Sequence, residues 1–336
     1  MKKQPIFSII IPIYNCQNYI NKLLNSILIQ NLNKNDYEII ACDDNSNDCG
    51  INIIKTYMDR MNIIICNTKN RKIHCPGNTR KDALKYASGE WVTFIDNDDM
   101  FEPDAFNSVL DTINKYPNAK VICGQFREYN IEKNSYIDFG CCDTWLHGKW
   151  YKLNFLKEKN IDFKENLESH EDVYFNSLVI GHLIGINEDF IYLEKNVYKW
   201  VYNKQSLSRI VNENDKNYID CHFNDYINAN MEPLLICLSK YPNTYDFHLN
   251  QAIMTLLHTY FYYQSFLYAK NNSSNFCYIQ NLCNQIQQIF NITKYDIIDY
   301  VYQRPLIYDK VKQGCITGTY SFIEMQSFAD FIISLY

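Results

Sequence analysis

Almost uninterrupted apolar runs, mostly β-branched, recur through the first 125 residues: Phe7–Ile13, Tyr37–Cys42, Asn62–Cys66, Trp91–Ile95 and Lys120–Cys123. They lack the polar alternation of a half-solvated strand and so predict strands buried on both faces of a parallel sheet. Between them the apolar positions switch to helical spacing. Ile20, Leu23, Leu24, Ile27 and Leu28 share one face, and Ile53, Ile54, Tyr57 and Met58 line a second stripe. Pro103, read as a first-turn proline, opens a third helix with Phe106, Val109, Leu110 and Ile113 on one side. The alternation β-α-β-α-β predicts an α/β fold, an open sheet with a nucleotide-sized crevice at the carboxyl ends of its strands.

From about Asp138 the pattern breaks into short mixed segments, and beyond Asn212 it turns helical. This divides the chain into 1–211, made of 1–125 and 126–211, and a helical region 212–336. In the last region Leu256, Leu257, Tyr260 and Phe261, followed by Phe266, Leu267 and Tyr268, present more apolar surface than a solvent-exposed helix should. Packing against the preceding domain is the first expectation for what covers it, and a homodimer seam the second. Peripheral membrane contact ranks below both, because Phe247–Ala269 has no Lys or Arg on a polar face.

Composition narrows the classes. With 336 residues, 47% hydrophobic, the chain can bury a sizeable core, and its net charge of −6 argues against a nucleic-acid binder. Thirteen cysteines without a C-x-x-C pair suggest reduced, buried thiols and a cytosolic compartment. The apolar N-terminal run is cut short by Pro12, Tyr14 and Asn15, so no secretion signal is read there, and no stretch is apolar enough for a bilayer span.

The chemistry gathers at predicted strand ends. Asp43-Asp44 follows one strand, and Asp96-Asn97-Asp98-Asp99 another. Carboxylates crowded at one site repel unless a cation neutralises them, and hard oxygen ligands suit Mg²⁺ or Mn²⁺ holding a diphosphate. Glu171-Asp172, opening a predicted helix, is the second acidic centre.

These residues carry a resemblance. The segments Ser8–Asn15, Glu38–Asp48, Pro76-Gly77-Asn78-Thr79-Arg80, Ala87–Val92 into Phe94–Asp99, Glu171–Phe175 and Ser206–Arg209 occur in an order that resembles a family 2 glycosyltransferase with the GT-A fold, over roughly the first 210 residues. The resemblance implies an inverting, metal-dependent enzyme that transfers sugar from a UDP-sugar to a glycan or lipid-linked acceptor. Its implied setting is cell-surface polysaccharide synthesis in the cytoplasm, at the inner face of the membrane. Residues 1–125 would bind the nucleotide sugar and 126–211 the acceptor.

Carried over position by position, Pro12 and Tyr14 would pack against the base and Asp44 would accept its N–H. Arg80 would hold base or diphosphate, although the family usually has Asn where this chain has Lys81. Asp96, Asp98 and Asp99 form the DxD element, with Asp98 and Asp99 assigned to the metal and Asp96 and Asp98 to ribose and sugar. Asp172 of the acidic pair would be the general base, with Glu171 beside it. Trp145 is the first choice for an acceptor platform, Trp150 being as easily core. Lys199, Lys204 and Arg209 would lie near the diphosphate. His170, His147 and His182 could each tune or replace a ligand, but the structural reading is preferred for all three. Two rivals are a binding protein without catalysis and a receiver-like signalling domain. Retention of Asp96, Asp98, Asp99 and Asp172 argues against the first, and a complete strand and helix before Asp43-Asp44 against the second.

Overall fold

The computed structural model describes residues 4–69, 75–203, 216–267, 276–303 and 322–335. The chain forms two compact units, Met1–Val211 and Asn212–Tyr336.

The first unit is built on β1 (Phe7–Ile13), β2 (Tyr37–Asp43), β3 (Ile63–Asn67) and β4 (Trp91–Phe94), parallel in the order β3-β2-β1-β4. β1 and β4 are buried along their whole length, which explains why their sequences do not alternate. Three helices connect them: α1 (Ile20–Leu28), α2 (Gly50–Lys55) and α3 (Pro76–Leu84). α1 inserts Ile20, Leu23, Leu24 and Ile27 into the core as its spacing predicts. α2 is only six residues long, and the expected stripe breaks at Met58, which is exposed. Pro103 lies outside its helix: Asp104 adopts a left-handed conformation (φ 63°), and α4 (Ala105–Lys115) starts only after it.

Beyond β4 the sheet becomes mixed, as the resemblance to the Rossmann-like open mixed sheet of the GT-A fold implies, although the hydrophobic runs do not announce it. The strands are β5 (Met100–Phe101), β6 (Val121–Asn130), β7 (Ser135–Gly140), β8 (Lys149–Lys152) and β9 (Ile191–Val201). β8 inserts antiparallel between β4 and β6, β9 runs parallel to β6, and β7 pairs with the outer half of β6. Trp150 of β8 is wholly buried among Phe7, Phe101 and Phe106, so it is core. α5 (Leu153–Lys159) and α6 (Glu171–Gly185) follow β8.

The second unit contains α7 (Lys216–Lys240), α8 (Tyr245–Leu267), α9 (Phe276–Phe290), α10 (Lys294–Gln303) and α11 (Phe322–Ser334). Leu256, Leu257 and Tyr260 are buried in this unit's own core with Ile279, Leu282, Ile286 and Phe328, and Phe261 packs against that core. For these four residues, the apolar surface that suggests packing on the preceding domain or on a second copy is covered from within the unit. Tyr268 lies outside the described residues, as do the side chains of Phe266 and Leu267. No helix among the described residues is long and apolar enough to cross a membrane.

Candidate active site

The sheet's parallel strands deliver their carboxyl ends to one edge, and the loops there are tied to each other. Asn97 Nδ2 donates to the Pro12 carbonyl at 3.0 Å, joining the loop after β4 to β1. Asn15, at φ 47°, donates its N–H to Ser46 Oγ and accepts the Asn47 N–H on its side chain. Pro12 is a buried residue within β1 rather than part of the following loop, whereas Tyr14 is 58% exposed and is no core aromatic. Asp44 is buried at the end of β2, where it accepts the Thr68 hydroxyl at 2.8 Å.

Arg80 lies on α3, a helix whose polar residues Asn78, Thr79 and Asp82 are buried with it. Its guanidinium donates to Asp96 Oδ1 at 2.5 Å and to Glu171 Oε1 at 2.7 Å. It clamps two carboxylates together at the crevice. Gly77 makes this approach possible: a Cβ there would stand 2.8 Å from Glu171 Cβ, so any larger residue would push α6 off α3. Burial works against the charge, yet Asp96 and Glu171 hold Arg80 protonated more firmly than a free arginine.

The DxD carboxylates differ in their surroundings. Asp98 is half-buried and accepts Asn203 Nδ2 at 3.1 Å. Asp99 is fully enclosed; it accepts the Tyr198 hydroxyl in a short hydrogen bond and the Val201 N–H at 2.8 Å, anchoring the end of β9. Burial and mutual repulsion raise both carboxyls, Asp99 well above the ordinary range, through the charges of Asp98 and Asp96. Ligand atoms of Asp96, Asp99 and His147 lie within 4.8 Å of one another. The sequence prefers a structural role for His147 over that of a ligand because no motif marks it; the loop before β8 reaches Asp96 only through the sheet's mixed order.

Asp172 opens α6. It accepts its neighbour's Val173 N–H at 2.8 Å, and burial together with the Glu171 charge pushes it up to about 7. His170, immediately before the pair, is held left-handed (φ 58°), strain of a kind found where a site fixes its side chains. Asn176, one turn further, donates to the carbonyls of Thr144 and Asp172 and accepts the Tyr151 hydroxyl at 2.7 Å. Trp145 therefore sits in a loop pinned to the helix that bears Asp172. Buried Lys149 pins the same loop by donating to the carbonyls of Cys142 (2.5 Å) and Trp145. The Trp145 ring meets Phe126, Phe139, His147 and Trp200 and stays partly exposed. Lys199 ion-pairs with Glu102 at 3.7 Å and lies over Tyr129 and Tyr136, so its charge is committed there. Lys204, Arg209 and the Ser206–Arg209 segment lie outside the described residues.

Known proteins resemble this chain in sequence and in fold. The poly(ribitol-phosphate) β-glucosyltransferase of Bacillus spizizenii is 30% identical over 199 residues, 55% of this chain and 31% of that protein. The poly(ribitol-phosphate) β-N-acetylglucosaminyltransferase TarS of Staphylococcus aureus is 30% identical over 184 residues, 50% of this chain and 31% of that protein. The chain thus spans about a third of the length of these relatives. The crystal structure of S. aureus TarS 1-349 in complex with UDP superposes with a TM-score of 0.59 at 20% identity, covering 98% of this chain and 90% of that one. This likeness speaks to the fold, which is that of a curled mixed sheet flanked by helices with a helical region after it. The family description "Glycosyl transferase family 2" matches residues 8–178, the stretch that runs from β1 through the carboxylate crevice and into α6, and the chain belongs to that family.

Proposed function

We propose that the first unit transfers a sugar from a UDP-sugar to a hydroxyl of a surface glycan with inversion, the polyol-phosphate polymers named for its relatives being the nearest precedent. One observation carries this reading: a single buried guanidinium, Arg80, bonds both Asp96 at the donor end of the sheet and Glu171 beside the base, so both halves of a displacement meet in one crevice.

In this reading Asp172 takes the proton from the attacking acceptor hydroxyl, a task suited to a carboxylate raised to about 7. Asp44 accepts an N–H of the base, which favours uracil, and Tyr14 lies against it. The acceptor rests by Trp145, in the loop that Asn176 and Lys149 hold to α6. Residues for a divalent cation are present: Asp96, Asp98 and Asp99 crowd together, and His147 brings a buried Nδ1 with no hydrogen-bond partner among the described residues. When bound, a cation neutralises charge on the departing diphosphate. The compartment that fits is the cytoplasm, where nucleotide sugars are available, with acceptors presented at the membrane's inner face.

The test is transfer from a panel of nucleotide sugars to polyol-phosphate and other glycan acceptors, with the product anomer read by NMR. UDP-sugars should serve, EDTA should abolish transfer, and Asp44→Ala should weaken UDP by about 1–3 kcal/mol in calorimetry. Retention of anomeric configuration, or full activity in chelator, would overturn the corresponding part.

A further inference from the structure

Among the described residues, His147 is the histidine that the fold brings to the DxD carboxylates, and its ring is immobilised by carbon rather than by hydrogen bonds. Phe126 stacks on it at 5.0 Å, Tyr198 and Trp145 meet it edge-on at 4.7 and 5.5 Å, and Trp200 lies tilted at 5.5 Å. Nδ1 is buried and has no hydrogen-bond partner among the described residues. Buried imidazoles ordinarily have one ring nitrogen oriented by a carbonyl or carboxylate. Here the histidine with an orphaned nitrogen stands at a site where one ligand atom each from Asp96, Asp99 and His147 falls within 4.8 Å of the others.

We propose that His147 is a nitrogen ligand to the divalent cation of this site, completing a set with Asp96 and Asp99. The inference rests on the metal-dependent reading above and adds to it a ligand outside the DxD element. Three donor atoms shared evenly by one cation at bonds of about 2.0–2.2 Å stand no more than about 3.8 Å from one another, so groups that lie within 4.8 Å need to draw in by up to about 1 Å to close on it. Each carboxylate keeps lone pairs for the task. Asp96 engages Arg80 through Oδ1 alone, and each Asp99 oxygen accepts one hydrogen bond while offering a second lone pair. The aromatic enclosure stops the imidazole from turning away. An imidazole ligand also makes a chemical choice: it favours Mn²⁺ or Co²⁺ over Mg²⁺, which prefers oxygen ligands and retains its waters.

Pulsed EPR of Mn²⁺ on the full chain, with and without UDP, reads this directly, because a ligated imidazole imprints nitrogen hyperfine coupling. The expected result is a coupling that changes isotope signature when the protein is labelled with ¹⁵N-histidine. It should disappear in His147→Gln but survive in His170→Gln, and Mn²⁺ should bind at least tenfold more weakly to His147→Gln while Mg²⁺ binding changes less. Because the isotope experiment needs no substitution, it stands even if the variant folds poorly. Mn²⁺ bound without nitrogen coupling, or with coupling retained in His147→Gln, would overturn the ligand assignment and leave the metal-dependent reading intact. Failure of Mn²⁺ to bind in the presence or absence of UDP would overturn both.

Discussion

Two groups of buried acid sit at opposite ends of the same parallel strands and are handled in opposite ways. At the amino end, Glu38 of β2 collects the Ser8 hydroxyl (2.6 Å), the Ser88 N–H (2.6 Å) and hydroxyl (2.9 Å) and the Gly89 N–H (3.2 Å). Neutral donors surround it, and Gly89 is required because a Cβ there would meet the Ser8 backbone nitrogen at 2.6 Å. At the carboxyl end, Asp96, Asp98, Asp99, Glu171 and Asp172 crowd together with Arg80 bridging two of them. Burial and mutual repulsion raise Asp98, Asp99 and Asp172. Donors filling an acid's oxygens lock neighbouring segments together, as at Glu38 and also at Asp99; where acids crowd one another as well, their remaining lone pairs are open to a ligand or a proton.

The largest effect should come from removing the bridge. Arg80→Ala leaves Glu171, whose side chain is 14% exposed, without its cation, a change that costs about 3 kcal/mol in comparable buried pairs, while Asp96, 41% exposed, is screened by solvent and adds little. Urea denaturation should register it, and UDP binding should fall with it. A variant of wild-type stability would show that the clamp does not organise the crevice.

Next in size is Asp172→Asn, which keeps shape and removes basicity. Transfer should drop on the order of a hundredfold or more, with UDP affinity preserved in calorimetry. In the unsubstituted enzyme the rate should decline as pH falls through about 7, because the carboxyl is protonated below that value and cannot accept the acceptor's proton. The stability effect has the same origin. A carboxyl raised in the folded state binds its proton more tightly there, so the native state loses stability as pH climbs from the unfolded carboxyl range to about 7. Asp172→Asn should therefore melt higher than wild type at pH 8 and equal to it near pH 4. Equal melting at both values would remove the contrast between the two ends at this residue.

The smallest effect belongs to the satisfied hub. Glu38→Gln can keep its carbonyl oxygen toward the Ser88 and Gly89 N–H groups, but it places an N–H₂ where the Ser88 hydroxyl donates to Oε2 and removes the charge that strengthens the other bonds, and should cost about 1–3 kcal/mol of stability. UDP affinity and transfer per folded molecule should be unchanged. A parallel loss of UDP affinity would mean that the two ends are coupled through the strands.

The motif residues thus divide by position. Glu38, Ser88 and Gly89 belong to the same recognisable pattern as Asp44 and Asp96, yet they hold the far end of the sheet together. A linear motif cannot show that division, because it records which residues recur and not which end of a strand they occupy.

What the sequence determined by itself was local and periodic. Unbroken apolar runs specified the parallel strands, helical spacing specified α1, and the placement of Asp44, Asp96 and Asp172 at element ends followed from where each run stopped. Tertiary structure alone decided the rest. β8 enters between β4 and β6 and brings the loop with Trp145 and His147 into the crevice, and α6 lies close enough to Gly77 for Arg80 to grasp Glu171, 91 residues away. It also covered the C-terminal apolar faces with helices of their own unit. The physical reason is that burial and charge are properties of neighbourhoods: a helix's period fixes which residues share a face, but only the packed chain fixes what that face meets.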